Sequence, residues 1–99
     1  MTPAAVIHEF ARAGVPVVRY PQGAQLCEAR RCVGLDYLAD GIVFLAPRDK
    51  PRFEIVVLRT QADARTIARL THGRRRGNGV LVQLKPSAQI RAIFDRIRP

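Results

Sequence analysis

Ninety-nine residues, 47% of them hydrophobic, are enough for one domain around a single core and too few for two. Charged residues make up 25%, close to the globular average, which excludes a disordered, weakly hydrophobic chain. The sign is lopsided: 17 Lys and Arg against 8 Asp and Glu give a formal net charge of +9, which favours polyanionic partners such as nucleic acid, an anionic membrane surface or an acidic protein face.

Fifteen of the 17 cations are Arg, whose planar guanidinium offers a donor fork for phosphate and stacks on bases. A GC-rich coding sequence would produce the same bias. Met1 to Ala5 lack the basic segment and apolar stretch of a signal peptide, and no run is long enough to cross a bilayer, so cytoplasmic residence without a membrane partner is expected. Cys27 and Cys32 stand five apart, short of the four ligands of a zinc site, and His8 and His72 match no ligand spacing. Two buried or reduced thiols, no metal and no other cofactor are expected.

Along the chain, Thr2 suits a helix cap and Pro3 a first turn, and Val6, Ile7 and Phe10 share one face, which predicts a helix over 3–13 ended by Gly14. Val15 to Tyr20 is β-rich, with Pro16 near the strand start or on an edge, and Pro21-Gln22-Gly23 makes a turn. Residues 24–33 divide the reading. Good helix formers and the apolar face of Leu26, Ala29 and Val33 slightly favour a helix, whereas the tight turn before them suits a hairpin strand. Leu35 to Asp40 connects to Ile42–Ala46, and the proline-flanked turn Pro47–Pro51 leads to Phe53–Arg59. These two runs predict an antiparallel hairpin over 42–59 whose second strand, apolar on both faces, is central.

Thr60 and Asp63 resemble a capping box opening a helix to Thr71, with Ala64, Ile67, Ala68 and Thr71 inward and Gln61, Arg65 and Arg69 on an outward stripe. His72 and Gly73 close it, leaving Arg74, Arg75 and Arg76 at its negative dipole end in a glycine-rich loop over 73–79. Val80 to Lys85 reads as a strand. Pro86 opens a last helix on the period Ile90, Ile93, Phe94, Ile97.

With a helix over 24–33, the order from Val15 is βαββαβ, the ferredoxin-like arrangement, with extra helices at both ends. With a strand there, the order becomes αβ, two or three further strands, then αβα. Both are single-domain α+β folds over 1–99, with a four- or five-stranded sheet that contains the 42–59 hairpin and is packed by three or four helices.

The densest charge lies where Gly73 to Gly79 expose backbone N–H groups beside the arginine triplet. Arg65, Arg69, Arg74, Arg75, Arg76, Gly77, Asn78, Lys85 and Arg91 are the candidate nucleic-acid contacts, acting on phosphates without catalysis. A solvated loop carrying arginine for solubility is the bland counterpart. The spacing of its glycines matches neither common nucleotide-binding pattern, and Arg52 to Val57 lacks the glycine and second aromatic of an RNA-recognition strand.

The order helix, strand, strand, strand, helix, strand over Thr2–Leu84, with Asp40 and Glu54 at strand positions, resembles the αβββαβ core of PD-(D/E)XK nucleases. That resemblance implies a divalent metal held by Asp40 and Glu54. Val56 stands where the family's catalytic Lys would be, so the resemblance implies either a divalent-metal nuclease of degenerate type using Asp40 and Glu54 or a merely DNA-binding relative. The remaining alternative is a small interaction or inhibitor protein, of the kind phages and mobile elements encode, that binds an acidic partner or self-associates.

Overall fold

The computed structural model describes residues 1–19, 25–28, 31–34, 43–47, 53–83 and 85–99. Three helices and an antiparallel sheet give an α+β protein. In chain order the elements are α1 (Pro3–Arg12), β1 (Val17–Arg19), β2 (Gln25–Glu28), β3 (Arg31–Gly34), β4 (Val43–Pro47), β5 (Phe53–Val57), α2 (Gln61–Thr71), β6 (Arg74–Arg76), β7 (Gly79–Gln83) and α3 (Ala88–Arg96). The expected turns at 21–23 and 48–51 and the connection at 35–40 lie outside the described residues.

Each helix starts where a hydroxyl can take an orphan N–H. Thr2 accepts from Ala5, Thr60 from Asp63 and Ser87 from Ile90, each cap in extended backbone conformation. α3 therefore begins after Ser87 rather than at Pro86.

The main sheet runs β1-β4-β5-β7-β6, every neighbouring pair antiparallel. β5 is flanked by β4 and β7, with Ile55 opposite Leu45 on one side and Leu81 on the other. A strand buried on both faces reads as a continuous apolar run, and Ile55, Val56, Val57 and Leu58 are all buried. Phe53, Ile55, Val57 and Leu81 meet Val6 and Phe10 of α1 and Ile90, Ile93 and Phe94 of α3 in one core. Within it the Phe10 and Phe53 rings stack with centroids 5.3 Å apart. The alternate residues Val56, Val80 and Val82 face the other side, where α2 packs on β7 and buries Ala64 and Ile67.

Two expectations are corrected. Gln25–Glu28 and Arg31–Gly34 are strands rather than the slightly favoured helix, and they pair with each other as a separate two-stranded ribbon. The βαββαβ order lacks its first helix accordingly. Only two residues separate Glu28 from Arg31, a length suited to a hairpin, and that pairing outweighs a small difference in helix propensity. Nor is 73–79 a loop. Arg74–Arg76 is the edge strand β6, joined to β7 by the two-residue connection Gly77-Asn78, with Arg76 opposite Gly79. Gly77 has φ 57, as the first central residue of a type II′ hairpin turn requires.

The end of α2 is also tighter than expected. His72, not a glycine, takes the left-handed conformation at φ 54, and the Gly73 N–H reaches back to Ala68 O at 3.1 Å, the six-to-one bond of a Schellman ending. Gly73 serves a second need: a Cβ there would lie 2.6 Å from Val80 Cγ1 and 2.9 Å from the Leu81 carbonyl oxygen.

Gly73→Ala therefore forces the start of β6 away from β7. A loss of about 1–3 kcal/mol, read as a lower urea midpoint at unchanged slope, is the expected result. Gly77→Ala places an L residue at positive φ and lowers the midpoint by about 1 kcal/mol or more.

Candidate functional site

The candidate contacts divide into groups that hold the fold together and groups that face outward. Arg76 belongs to the first. Its Nη1 donates to the carbonyl oxygens of Phe94 at 2.8 Å and Ile97 at 2.5 Å, the last acceptors of α3, where a cation meets the negative end of the helix. Asn78 belongs there too. Its Nδ2 donates to Leu58 O at 2.7 Å and Met1 O at 2.9 Å, its Oδ1 accepts from the Met1 nitrogen, and its own carbonyl accepts from Leu58 N at 2.8 Å. Every polar atom of that side chain is engaged within the protein, so Asn78 has none left for a ligand. Gly77 is committed to its turn.

Arg74 stands between the groups. Its Nε and Nη2 donate in a fork to the two oxygens of Asp95 at 2.8 and 2.9 Å, tying β6 to α3 at the surface. That hydrogen bonding, then the charges of Arg74, Arg76 and Arg91, holds the Asp95 carboxyl below its usual range, while partial burial pushes the other way. The same bond from Asp95 raises the Arg74 guanidinium above its ordinary value. One carboxylate thus lies in the field of three guanidiniums, and the cluster keeps a net positive charge.

Beside this cluster is a cleft of about 440 Å³ lined by Thr71, His72, Arg74, Leu81, Val82, Gln83 and Arg91. Sheet register creates it. Arg74, the first residue of β6, lies opposite Leu81, so Val82 and Gln83 run on past the edge strand. The end of α2 delivers His72 from one side, and α3 delivers Arg91 from the other. Gln83 is already used at the start of α3, accepting from Ser87 N at 2.9 Å. Thr71 is buried, with its hydroxyl on Ile67 O at 2.7 Å. His72 and Arg91 are exposed, and their side chains donate to no group among the described residues. They are the cleft's available polar groups.

The structure thus brings together Arg74 and Arg91 of the candidate contacts. Arg75 is exposed on β6 with Nη1 on Gly77 O at 3.1 Å, Lys85 is exposed beyond β7, and Arg65 and Arg69 are exposed on α2. None of these four lines the cleft. Sequence reasoning missed His72 and Asp95. A histidine immediately before Gly73 at the end of a helical period was the available signal for a non-glycine left-handed cap. Asp95, 21 residues beyond Arg74, had no signal in spacing.

Of the acids considered for a metal, Asp40 lies outside the described residues. Glu54 is half-buried on the α2 face of β5, and its Oε2 is buried with no hydrogen-bond partner among the described residues. Burial pushes its pKa up, which favours the neutral acid over an ionised ligand. Among the described residues no three His, Cys, Asp or Glu side chains gather closely enough to hold a metal, and no helix is long and apolar enough to cross a membrane. Comparison with protein-family models, curated proteins and solved structures finds no match to this chain.

Two outcomes test these placements. Arg76→Ala leaves the α3 carbonyls without their cation and lowers stability by about 1–2 kcal/mol in chemical denaturation, whereas Arg75→Ala next to it changes stability by less than about 0.5 kcal/mol. Glu54 has a raised pKa in the folded state, so its contribution is fully present at low pH, where both states are protonated, and is lost as pH rises through the folded value. Glu54→Gln accordingly raises the melting temperature at pH about 7, and the gain disappears below the ordinary glutamate range.

Proposed function

We propose that this chain is a nonenzymatic nucleic-acid-binding protein that seats a backbone phosphate in the cleft between the end of α2 and α3. The observation that carries the reading is the pairing of Arg91 and His72 across that cleft, backed by the Arg74, Arg76 and Arg91 field around a single carboxylate. Arg65 and Arg69 on α2, Arg75 on β6 and Lys85 beyond β7 extend positive charge over neighbouring surface and meet flanking phosphates. These contacts position a sugar-phosphate chain without reading bases. His72 supports the reading independently. A residue other than glycine held at φ 54 costs folding energy that a glycine would not, and such strain concentrates at working sites.

The test is an anisotropy titration with duplex and single-stranded oligonucleotides at two or more salt concentrations. Binding weakens steeply with salt, and Arg91→Ala both lowers affinity and reduces the magnitude of the log–log salt slope by about 0.9 on duplex, the loss of one phosphate contact. Asp95→Asn acts in the opposite direction, since it leaves the three guanidiniums without their shared anion. His72→Gly separates folding from function: it raises thermal stability by up to about 1 kcal/mol by relieving the backbone, yet weakens binding. Absence of salt-sensitive binding by the unaltered protein to either oligonucleotide overturns the proposal and turns the search to acidic protein partners.

A further inference from the structure

The β2–β3 ribbon carries a site that the basic surface does not use. Its register pairs Gln25 with Gly34, Leu26 with Val33, Cys27 with Cys32 and Glu28 with Arg31. The two cysteines of the chain are therefore directly opposite one another, and they are its only thiols. We propose that Cys27 and Cys32 are a dithiol that closes to a disulfide across this ribbon on reaction with a low-molecular-weight disulfide.

Hairpin geometry selects this pair. Glu28 and Arg31 are paired with two residues between them, and in a hairpin of that length the closing pair as a rule exchanges backbone hydrogen bonds while the next pair inward does not. That next pair is Cys27 and Cys32. Opposed residues at such a position have Cα atoms about 4.5 Å apart and lie on the same face, inside the window of about 4.4–6.8 Å that a disulfide spans. A shift of one residue in register would send the two to opposite faces, so the bond reports the ribbon's alignment. β2 and β3 pair only with each other in the described sheets, and an isolated two-stranded ribbon is marginal in water. A covalent tie there has a conformational equilibrium to act upon.

The chemistry balances with oxidised glutathione as the reagent. One cysteine thiolate attacks a glutathione sulfur, breaking that disulfide and releasing one glutathione thiol. The second cysteine thiolate attacks the protein sulfur of the mixed disulfide, forming the Cys27–Cys32 bond and releasing the second glutathione. The protein loses two electrons and two protons, and one glutathione disulfide becomes two thiols.

The experiment equilibrates the full chain with graded ratios of reduced to oxidised glutathione, quenches with acid and reads intact mass. It is run once in buffer and once in concentrated urea. The expected product is a monomer lighter by two hydrogens, whose formation constant in buffer exceeds that in urea by about tenfold or more, equivalent to about 30 mV for the two-electron couple. Cys27→Ser and Cys32→Ser each stop at the mixed disulfide. Equal constants in buffer and urea would show that proximity along the chain alone joins the thiols, and would overturn the structural proposal. Persistent mixed disulfide on the unaltered protein, or disulfide-linked dimers, would overturn it equally. Nucleic-acid binding has no part in the readout, so this result stands or falls apart from the cleft.

Discussion

The carbonyl oxygens of Phe94 and Ile97 close one end of α3, and the Arg76 guanidinium from the neighbouring strand meets both. This contact fixes more than a helix end. Arg76 is the last residue of β6, immediately before the Gly77-Asn78 turn, so anchoring it sets the turn, the register of β6 on β7 and the distance from β6 to α3. From that register follows the overhang of Val82 and Gln83, and from the overhang the cleft. Asn78 secures the other side of the same turn by binding Leu58 and Met1. The most basic segment of the sequence is thus also one of its most tightly tied.

Arginine is used there in two different capacities. At Arg76 the cation meets two carbonyls at the end of α3, that of Phe94, which also accepts from Ile97 N, and that of Ile97, and at Arg74 it pairs with a carboxylate while still lending its field to the cleft. Neither interaction cancels the positive potential, because carbonyl dipoles carry no net charge and a single aspartate faces three guanidiniums. The side chains that tie the fold here are also those that supply its positive field. Removing the whole triplet would therefore damage the hairpin itself, whereas the Arg91 side chain makes no such tie among the described residues.

Much of the fold was legible because its signals are local. The period of Ile90, Ile93 and Phe94 located α3, Thr60 capped α2 as expected, and the apolar run Phe53–Val57 marked a central strand. The outward placement of Arg65 and Arg69 also followed from helical spacing. Residues 24–33 stayed divided between helix and strand because propensity differences of a few tenths of a kcal/mol per residue cannot outvote cross-strand pairing, which is invisible until the partner is known. Arg74–Arg76 failed as a loop for a related reason. Three consecutive arginines suggest solvent, yet an edge strand has one open side and tolerates charge well. Within the candidate site, Arg91 and Arg74 were legible as cations, but their convergence with His72 depends on three separate elements meeting, information that spacing along the chain does not contain.

β6 spans only three residues, all arginine, and forms one of the two edges of the main sheet, β1 being the other. An outer strand normally invites another molecule to continue the sheet, since its free N–H and C=O groups template further pairing. Here a second copy arriving antiparallel would align its own three guanidiniums against these, and like charges facing each other across a strand pair repel. The ladder would also stop after three residues, too short to repay that repulsion. This edge thus discourages growth of the sheet by identical chains, a safeguard against fibre-like stacking that draws in part on Arg74 and Arg76, which also bind the hairpin to α3.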